Sequence, residues 1–386
     1  MKLGIATGIY PPDIGGPATY VRALAEELTK RGHEVTVITY GRPTEEEEKW
    51  KVVRVSKRGL IIRWIRYAAA LKKNLADADA IIAFSSVSAG VPLWLAGLSH
   101  PKKILRLGGD FLWERYTDRG GNLSLSEWYE KATFSKMLMR RVLGIFDHLV
   151  FSTHYQQELY ERSYRPLPPH SVIENAFPAK PNMAHNMRLL RTGGLKGDTM
   201  RLLFLGRFVR FKNVASLLRA IASLRRSGTC RVTLSIVGDG PEESHYLSLI
   251  RELHLEQCVT LRNPVHGQEK QRLFAEHDLL VLPSLTEISP NVALEAAISG
   301  LPVLLTSETG LSPALTGGMM LRPLRTSEQI VSAILDAEQN YGSLAGDVHS
   351  PLPQRSMRDV ADAFLSIAAN PPLPLGFGRA GDGHAL

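Results

Sequence analysis

The sequence predicts an α/β protein: two Rossmann-like domains in tandem, each a parallel sheet covered by helices on both faces. Three observations carry this expectation. Short apolar runs alternate with amphipathic helical stretches, one Pro- and Gly-rich segment interrupts the alternation, and the alternation then restarts. The length allows it, since 386 residues, 44% of them hydrophobic, suffice for two cores of ordinary size.

In the first half, Leu3–Thr7 reads as a strand, Thr19–Arg31 as an amphipathic helix and Glu34–Thr39 as a second strand. Helix Ile61–Ala76, strand Ala80–Phe84, helix Val87–Leu98 and strand Lys103–Leu107 follow. Leu125–Gly144 reads as one long helix, then come strands His148–Ser152 and Ser171–Asn175. Residues 179–200, with Pro181, Gly193, Gly194 and Gly197 among polar residues, are expected to link domain 1–178 to domain 201–345. The second domain reads as strand Arg201–Gly206, helix Asn213–Ser227, strand Val232–Gly238, helix Glu242–Leu253, strand Val259–Arg262 and helix Gln268–His277. Strand Asp278–Pro283, strand Pro302–Thr306 and a helix near Ser327–Gln339 complete it. Helix 357–369 is expected to return to the first domain, and the Pro- and Gly-rich tail 370–386 to be disordered.

Composition narrows the function. Two cysteines, Cys230 and Cys258, lie far apart without metal-ligand spacing, which disfavours a disulfide framework and a cysteine-based zinc site. The start reads as a first strand rather than a signal peptide, and no apolar run approaches the ~20 residues that span a bilayer. A cytoplasmic protein is expected. The net charge is +8, concentrated between Lys49 and Lys73, where nine cations occur without an acid and interleave with Trp50, Ile62, Trp64, Ile65 and Tyr67. That mixture suits an anionic membrane surface and equally suits a solvated face around a core helix. No nucleic-acid motif accompanies it.

The segment Pro283-Ser-Leu-Thr-Glu-Ile-Ser-Pro-Asn-Val-Ala-Leu-Glu295 is the most informative. It follows a buried-type strand and opens a helix, with Ser289 as expected cap, Pro290 in the first turn and Gly300 closing. A helix N-terminus delivered to the carboxyl edge of a parallel sheet offers free N–H groups to an anion. Glu287 and Glu295 flank that end, and carboxylates meet hydroxyls or a developing cation rather than phosphate. Phosphate plus sugar hydroxyls points to a nucleotide sugar. Gly206-Arg207 and Lys212-Asn213 place two cations at the same edge, able to converge on a diphosphate. Gly15-Gly16 lets backbone approach a ligand without a Cβ in the way, and it is not the G-x-G-x-x-G dinucleotide pattern. Gly238-Asp239-Gly240 either lines the cleft or makes a turn.

In order and spacing these segments, with Arg31-Gly-His-Glu-Val-Thr-Val37, Val172-Ile-Glu-Asn175 and Val237-Gly-Asp-Gly-Pro-Glu242, resemble glycosyltransferase family 4, retaining enzymes of the GT-B fold, over nearly the whole chain. The resemblance implies a metal-independent hexosyltransferase using a UDP- or GDP-sugar, with no further cofactor and a glycan, lipid-linked or cell-envelope acceptor. It implies that Gly15 and Gly16 approach the donor, that Arg207 and Lys212 neutralise its diphosphate, and that Glu287 sits by the transferred sugar. Asn291 and Val292, after Pro290, would supply amides to the distal phosphate, Glu295 would bind the ribose, Val265 would lie beside the base, and Asp239 is counted among the donor-binding candidates. One departure stands out. Where many members carry His-Gly, this chain has Arg106-Leu-Gly-Gly-Asp-Phe-Leu-Trp-Glu114, so Asp110 and Glu114 become candidates for the sugar or acceptor, or local caps. His154 is a further cleft candidate. A nucleotide-sugar epimerase and a non-catalytic partner subunit on the same fold are the alternatives; products formed without acceptor separate the first, and retention of Arg207, Lys212 and Glu295 argues against the second.

Overall fold

A computed structural model describes all residues except 14, 43–47, 58, 133, 177–198, 229–230, 348–354 and 371–386. Two parallel sheets organise it. The first has seven strands: β1 (Lys2–Thr7), β2 (Glu34–Tyr40), β3 (Lys51–Val55), β4 (Ala80–Phe84), β5 (Lys102–Leu107), β6 (His148–Phe151) and β7 (His170–Val172), in spatial order 3-2-1-4-5-6-7. The second has six: β8 (Met200–Leu205), β9 (Val232–Val237), β10 (Val259–Arg262), β11 (Leu279–Leu282), β12 (Val303–Thr306) and β13 (Met320–Arg322), in order 10-9-8-11-12-13. Ile5, Ile38, Ile82 and Leu105 in the first sheet, and Leu203, Phe204, Val281 and Leu304 in the second, are buried. Strands buried on both faces are what parallel sheets covered by helices require.

The strand orders fix where crevices open at the sheet edges. In each sheet the order reverses beside the first strand, between β1 and β4 and between β8 and β11. Loops leaving neighbouring strands at such a point diverge and leave a crevice at the carboxyl edge. The loop after β1 carries Gly15-Gly16, and those after β8 and β11 carry Arg207–Lys212 and Pro283–Pro290. The three stretches singled out by chemistry are therefore set at crevices by topology.

Helix Met357–Ala369 crosses back to the first sheet. Its Val360, Ala361 and Phe364 share a core with Val21, Leu24 and Leu28 of helix Gly16–Lys30, and Arg31 pairs with Asp362. The expected linker lies outside the described residues apart from its last two, and Met200 already belongs to β8; the expected disordered tail lies outside them apart from Asn370. Elsewhere the structure amends the reading. Leu125–Gly144 is two helices, Leu125–Lys131 and Phe134–Leu143, because Ala132 is extended (φ −75°, ψ 122°). Lys51–Val55, read only as part of a basic stretch, is an edge strand paired with β2.

Candidate donor site at the interdomain cleft

Lys212 and Glu287 form the centre of the site. Lys212 ends a short 3-10 turn, Arg210–Lys212, after β8, and its Nζ lies 2.6 Å from Glu287 Oε1, to which Ser284 Oγ also donates at 2.6 Å. Glu287 is 5% exposed. Its backbone is clamped as well: Glu287 N donates to Glu308 O and Gly310 N donates to Glu287 O. A charge buried to this extent is tolerable only when paired and hydrogen-bonded, and both conditions hold.

Helix Asn291–Ile298 begins beside this pair. The expected cap is corrected: Ser289 makes no cap bond, and Pro290 (φ −76°, ψ 91°) occupies the N-cap position instead of the first turn. Proline lacks a capping side chain, so the N–H groups of Asn291 and Val292 gain no cap and have no intrahelical acceptor. Ser289 Oγ and Asn291 Oδ1 each accept from Asn175 Nδ2, at 3.1 and 2.8 Å. Gly300 follows in the left-handed region (φ 77°), consistent with its expected role as terminator.

Arg207 is 58% exposed at the side chain, and its Nη1 is 3.9 Å from Glu114 Oε2 across the cleft. Burial raises the Glu114 carboxyl above its usual range, against the opposing pull of Arg207. Of the two readings kept open for Asp110, sugar or acceptor contact and local cap, the structure shows the cap. Asp110 is buried, caps helix Phe111–Asp118 by accepting from Trp113 N, and accepts from the hydroxyls of Tyr129 and Tyr160. Its oxygens are engaged in holding that helix, and Glu114, one turn on, is the carboxylate turned to Arg207. His154 opens helix His154–Ser163, exposed and bonded to Gln157.

Glu295 lies on the second turn of its helix, in contact with Lys270 Nζ of helix Gly267–Glu276. Lys270 was not singled out from sequence; its only signal was its place in the first turn after Val265. Val265 itself is buried at the edge of the second core. Asp239 is exposed, and its backbone oxygen accepts from Phe208 N at 2.6 Å. The flanking glycines are obligatory: a Cβ on Gly238 (φ 153°) would sit 1.9 Å from Gly206 O, and one on Gly240 (φ 148°) 2.5 Å from Phe208 O. The Gly-Asp-Gly turn thus buttresses the Arg207 loop. In the first domain Gly15 (φ 153°) caps helix Gly16–Lys30, and a Cβ on Gly16 would meet only open space, which leaves room for a ligand.

Two family models match, the glycosyltransferase family 4 model over residues 14–179 and the glycosyl transferases group 1 model over residues 199–340. The chain belongs to the group 1 glycosyltransferases of the family 4 type. It is a GT-B glycosyltransferase. An uncharacterised glycosyltransferase of Methanocaldococcus jannaschii is 27% identical over 337 residues, covering 81% of this chain and 82% of that protein. Alpha-monoglucosyldiacylglycerol synthase of Streptococcus pneumoniae is 23% identical over 354 residues, covering 87% and 78%. Among solved structures, WaaG, a glycosyltransferase involved in lipopolysaccharide biosynthesis, superposes with a TM-score of 0.70 at 18% identity, covering 96% of this chain and 100% of that one. Anabaena HepE in complex with UDP-glucose gives 0.69 at 17%, covering 94% and 99%.

Proposed function

We propose that this glycosyltransferase moves a hexose from a nucleoside-diphosphate sugar to a glycolipid or cell-envelope acceptor, retaining the anomeric configuration and without a divalent ion. The observation that carries the reading is the Lys212–Glu287 pair, which ties the loop after β8, where Arg207 lies, to the loop after β11 that ends at the open N-terminus of Asn291 and Val292. A departing nucleoside diphosphate gains negative charge. Two cations and two backbone amides fixed at one crevice stabilise that charge more in the transition state than in the ground state. The same groups take the part that a metal plays elsewhere. Glu287 is held by Lys212 and Ser284 where it can face the sugar, and Glu295 with Lys270 suits ribose hydroxyls. The UDP-glucose bound by HepE and the glycolipid and lipopolysaccharide roles in the names of two similar proteins support the donor and acceptor classes.

The test is turnover of a panel of UDP-, GDP- and ADP-sugars with glycolipid acceptors in excess EDTA, with the product anomer read by NMR. One donor is expected to react, to raise the melting temperature by mass action, and to give a retained anomer. An inverted product, or activity lost in EDTA and restored by Mn²⁺, would overturn the mechanistic part.

A second observation favours work at a cytoplasmic membrane face. Helices Leu60–Leu75, Gly90–Ala96 and Phe134–Leu143 cover the same face of the first sheet and hold no acid. Among the described residues, five of the eight large apolar side chains left exposed lie on them: Ile62, Ile65, Trp94, Leu95 and Met137, with Trp94 at 62%. Arg66, Lys72, Lys73, Arg140 and Arg141 are exposed beside them. Apolar side chains that insert, ringed by cations worth about 1 kcal/mol each at an anionic surface, fit a peripheral contact. No described helix is long and apolar enough to cross a membrane. Flotation with phosphatidylglycerol vesicles is expected to carry the protein upward, and Ile65→Ser with Trp94→Ser to abolish this; flotation of the double variant at the wild-type level would remove the reading.

A further inference from the structure

Arg106 is a buried cation with no anion beside it among the described residues. It lies at the carboxyl end of β5, only 3% exposed, and it forms no ion pair with a described carboxylate. Its Nη1 donates to Leu107 O, its Nη2 donates to Asn175 Oδ1 at 2.6 Å, and its guanidinium stacks 5.4 Å from the Tyr20 ring. Among the described residues its buried Nε has no acceptor, and the buried Tyr20 hydroxyl has no partner. Tyr20 is in the second turn of the helix that Gly15 caps. Two orphaned polar groups and an uncompensated charge therefore meet at the carboxyl edge of the first sheet.

Asn175 connects this charge to the second domain. Its oxygen is held by Arg106, which fixes the orientation of its amide so that Nδ2 points across the cleft to Ser289 Oγ and Asn291 Oδ1. Asn291 begins the helix whose free N–H groups carry the positive end of a dipole, equivalent to about half an elementary charge. A buried guanidinium and a helix N-terminus are of like sign, and one side chain couples them. Such an arrangement is unfavourable by itself and becomes favourable when an anion lies close to both.

We infer that Arg106 is the first domain's contribution to the diphosphate cradle, a positioning residue that acts through Asn175 on Asn291 and through its unpaired charge on the nucleotide. This rests on the nucleotide-sugar reading and adds to it a third cation, from the opposite domain. It also makes the first domain sensitive to the donor's phosphates, because the bond from Asn175 to Asn291 spans the cleft.

The experiment measures binding of UDP, GDP and ADP, and of uridine, guanosine and adenosine, to wild type, Arg106→Met and Asn175→Asp, with melting temperatures taken without nucleotide. Wild type is expected to bind one diphosphate far more tightly than its nucleoside. Arg106→Met is expected to lose tenfold or more for that diphosphate with nucleoside affinity unchanged, and to melt no lower than wild type, since an uncompensated charge has gone. Asn175→Asp supplies the missing anion beside Arg106 and should melt higher still while binding the diphosphate more weakly. An Arg106→Met protein that melts lower and keeps the wild-type ratio of diphosphate to nucleoside affinity would show a merely structural arginine and overturn the inference; an Asn175→Asp protein with undiminished diphosphate affinity would do the same. A wild type that binds none of the three diphosphates would overturn the donor reading itself, and the two failures are distinguishable.

Discussion

Lys212→Met separates the fold-keeping role of the central pair from its chemical role. Both side chains are largely buried, 16% and 6% exposed, and 2.6 Å apart. Removing the cation leaves the Glu287 carboxylate buried with Ser284 Oγ as its side-chain donor. Breaking a buried pair from one side costs about 3–5 kcal/mol, and the remaining hydroxyl bond puts the expectation at the lower end, about 3 kcal/mol. For a unit of this size that corresponds to a fall in Tm of about 6–12 °C. Adding Glu287→Leu removes the stranded charge, and replacing a buried pair by apolar groups is close to neutral, so the double variant should recover to within about 1 kcal/mol. Turnover should not recover. In the proposed reading both groups act on the departing diphosphate and the sugar, and losing such a preorganised contact costs about 10²–10³ in kcat. The assay pairs thermal unfolding with turnover of the preferred donor for the two variants. A Lys212→Met protein that melts with wild type, or a double variant that regains turnover, would refute the reasoning.

Gly238→Ala should destabilise by at least about 3 kcal/mol and weaken donor binding, since its Cβ would lie 1.9 Å from Gly206 O at φ 153°, and unfolding together with nucleotide titration checks both. Glu295→Gln should weaken the preferred nucleoside diphosphate about 10- to 100-fold, the worth of hydrogen bonds to a charged acceptor, and abolish discrimination against its 2′-deoxy form; retained discrimination would move the ribose elsewhere. His148, bonded to Ser171, has its pKa lowered to about 4 by burial, with Lys102 and His170 adding to the effect. The fold keeps its imidazole neutral, so its stabilising contribution is complete above about pH 6.5 and is lost as pH falls toward 4. Because the ring is only half-buried, solvent screening limits that loss to about 1–2 kcal/mol. His148→Gln should flatten the stability profile across this window, and an unchanged slope in chemical unfolding at pH 4–6.5 would refute the assignment.

The parallel sheets and their crevices were legible because apolar runs such as Leu279–Leu282 and Ala80–Phe84 have few other structures open to them. The site loops were legible because glycines, cations and carboxylates immediately follow those runs. β3 escaped because Lys51 and Arg54 make an edge strand look like a charged loop, and such residues are what an edge strand tolerates. The break at Ala132 carries neither Gly nor Pro, so nothing local marks it. Choosing between Asp110 and Glu114 required burial: Tyr129 and Tyr160, 19 and 50 residues away, enclose Asp110. The links Lys270–Glu295 and Arg106–Asn175–Asn291 join segments far apart in sequence, and no local pattern encodes such pairings.

In this structure each of the two cations assigned to the diphosphate faces a carboxylate, Lys212 beside Glu287 and Arg207 across from Glu114. The two pairs differ. Lys212–Glu287 is short, buried and contained in the second domain, whereas Arg207–Glu114 is long at 3.9 Å, partly exposed and spans the domains. Further cross-cleft contacts include the buried bond from Leu125 N to Thr286 Oγ1, the part-buried bonds of Ser126 and Tyr155 to Glu308, the exposed Glu127–Arg325 pair and the bonds of Asn175 to Ser289 and Asn291, with Ile288, Leu285 and Phe211 packed against the first-domain core. The exposed pairs among them, Arg207–Glu114 and Glu127–Arg325, contribute about 0–1 kcal/mol each. Glu114 is also the group whose ionised form burial disfavours. In the proposed reading, donor phosphate displaces Glu114 from Arg207 and frees a carboxyl whose pKa is then raised further, since the cation that lowered it is engaged elsewhere. The first-domain carboxyl would thus be released toward sugar or acceptor hydroxyls only once the diphosphate is in place.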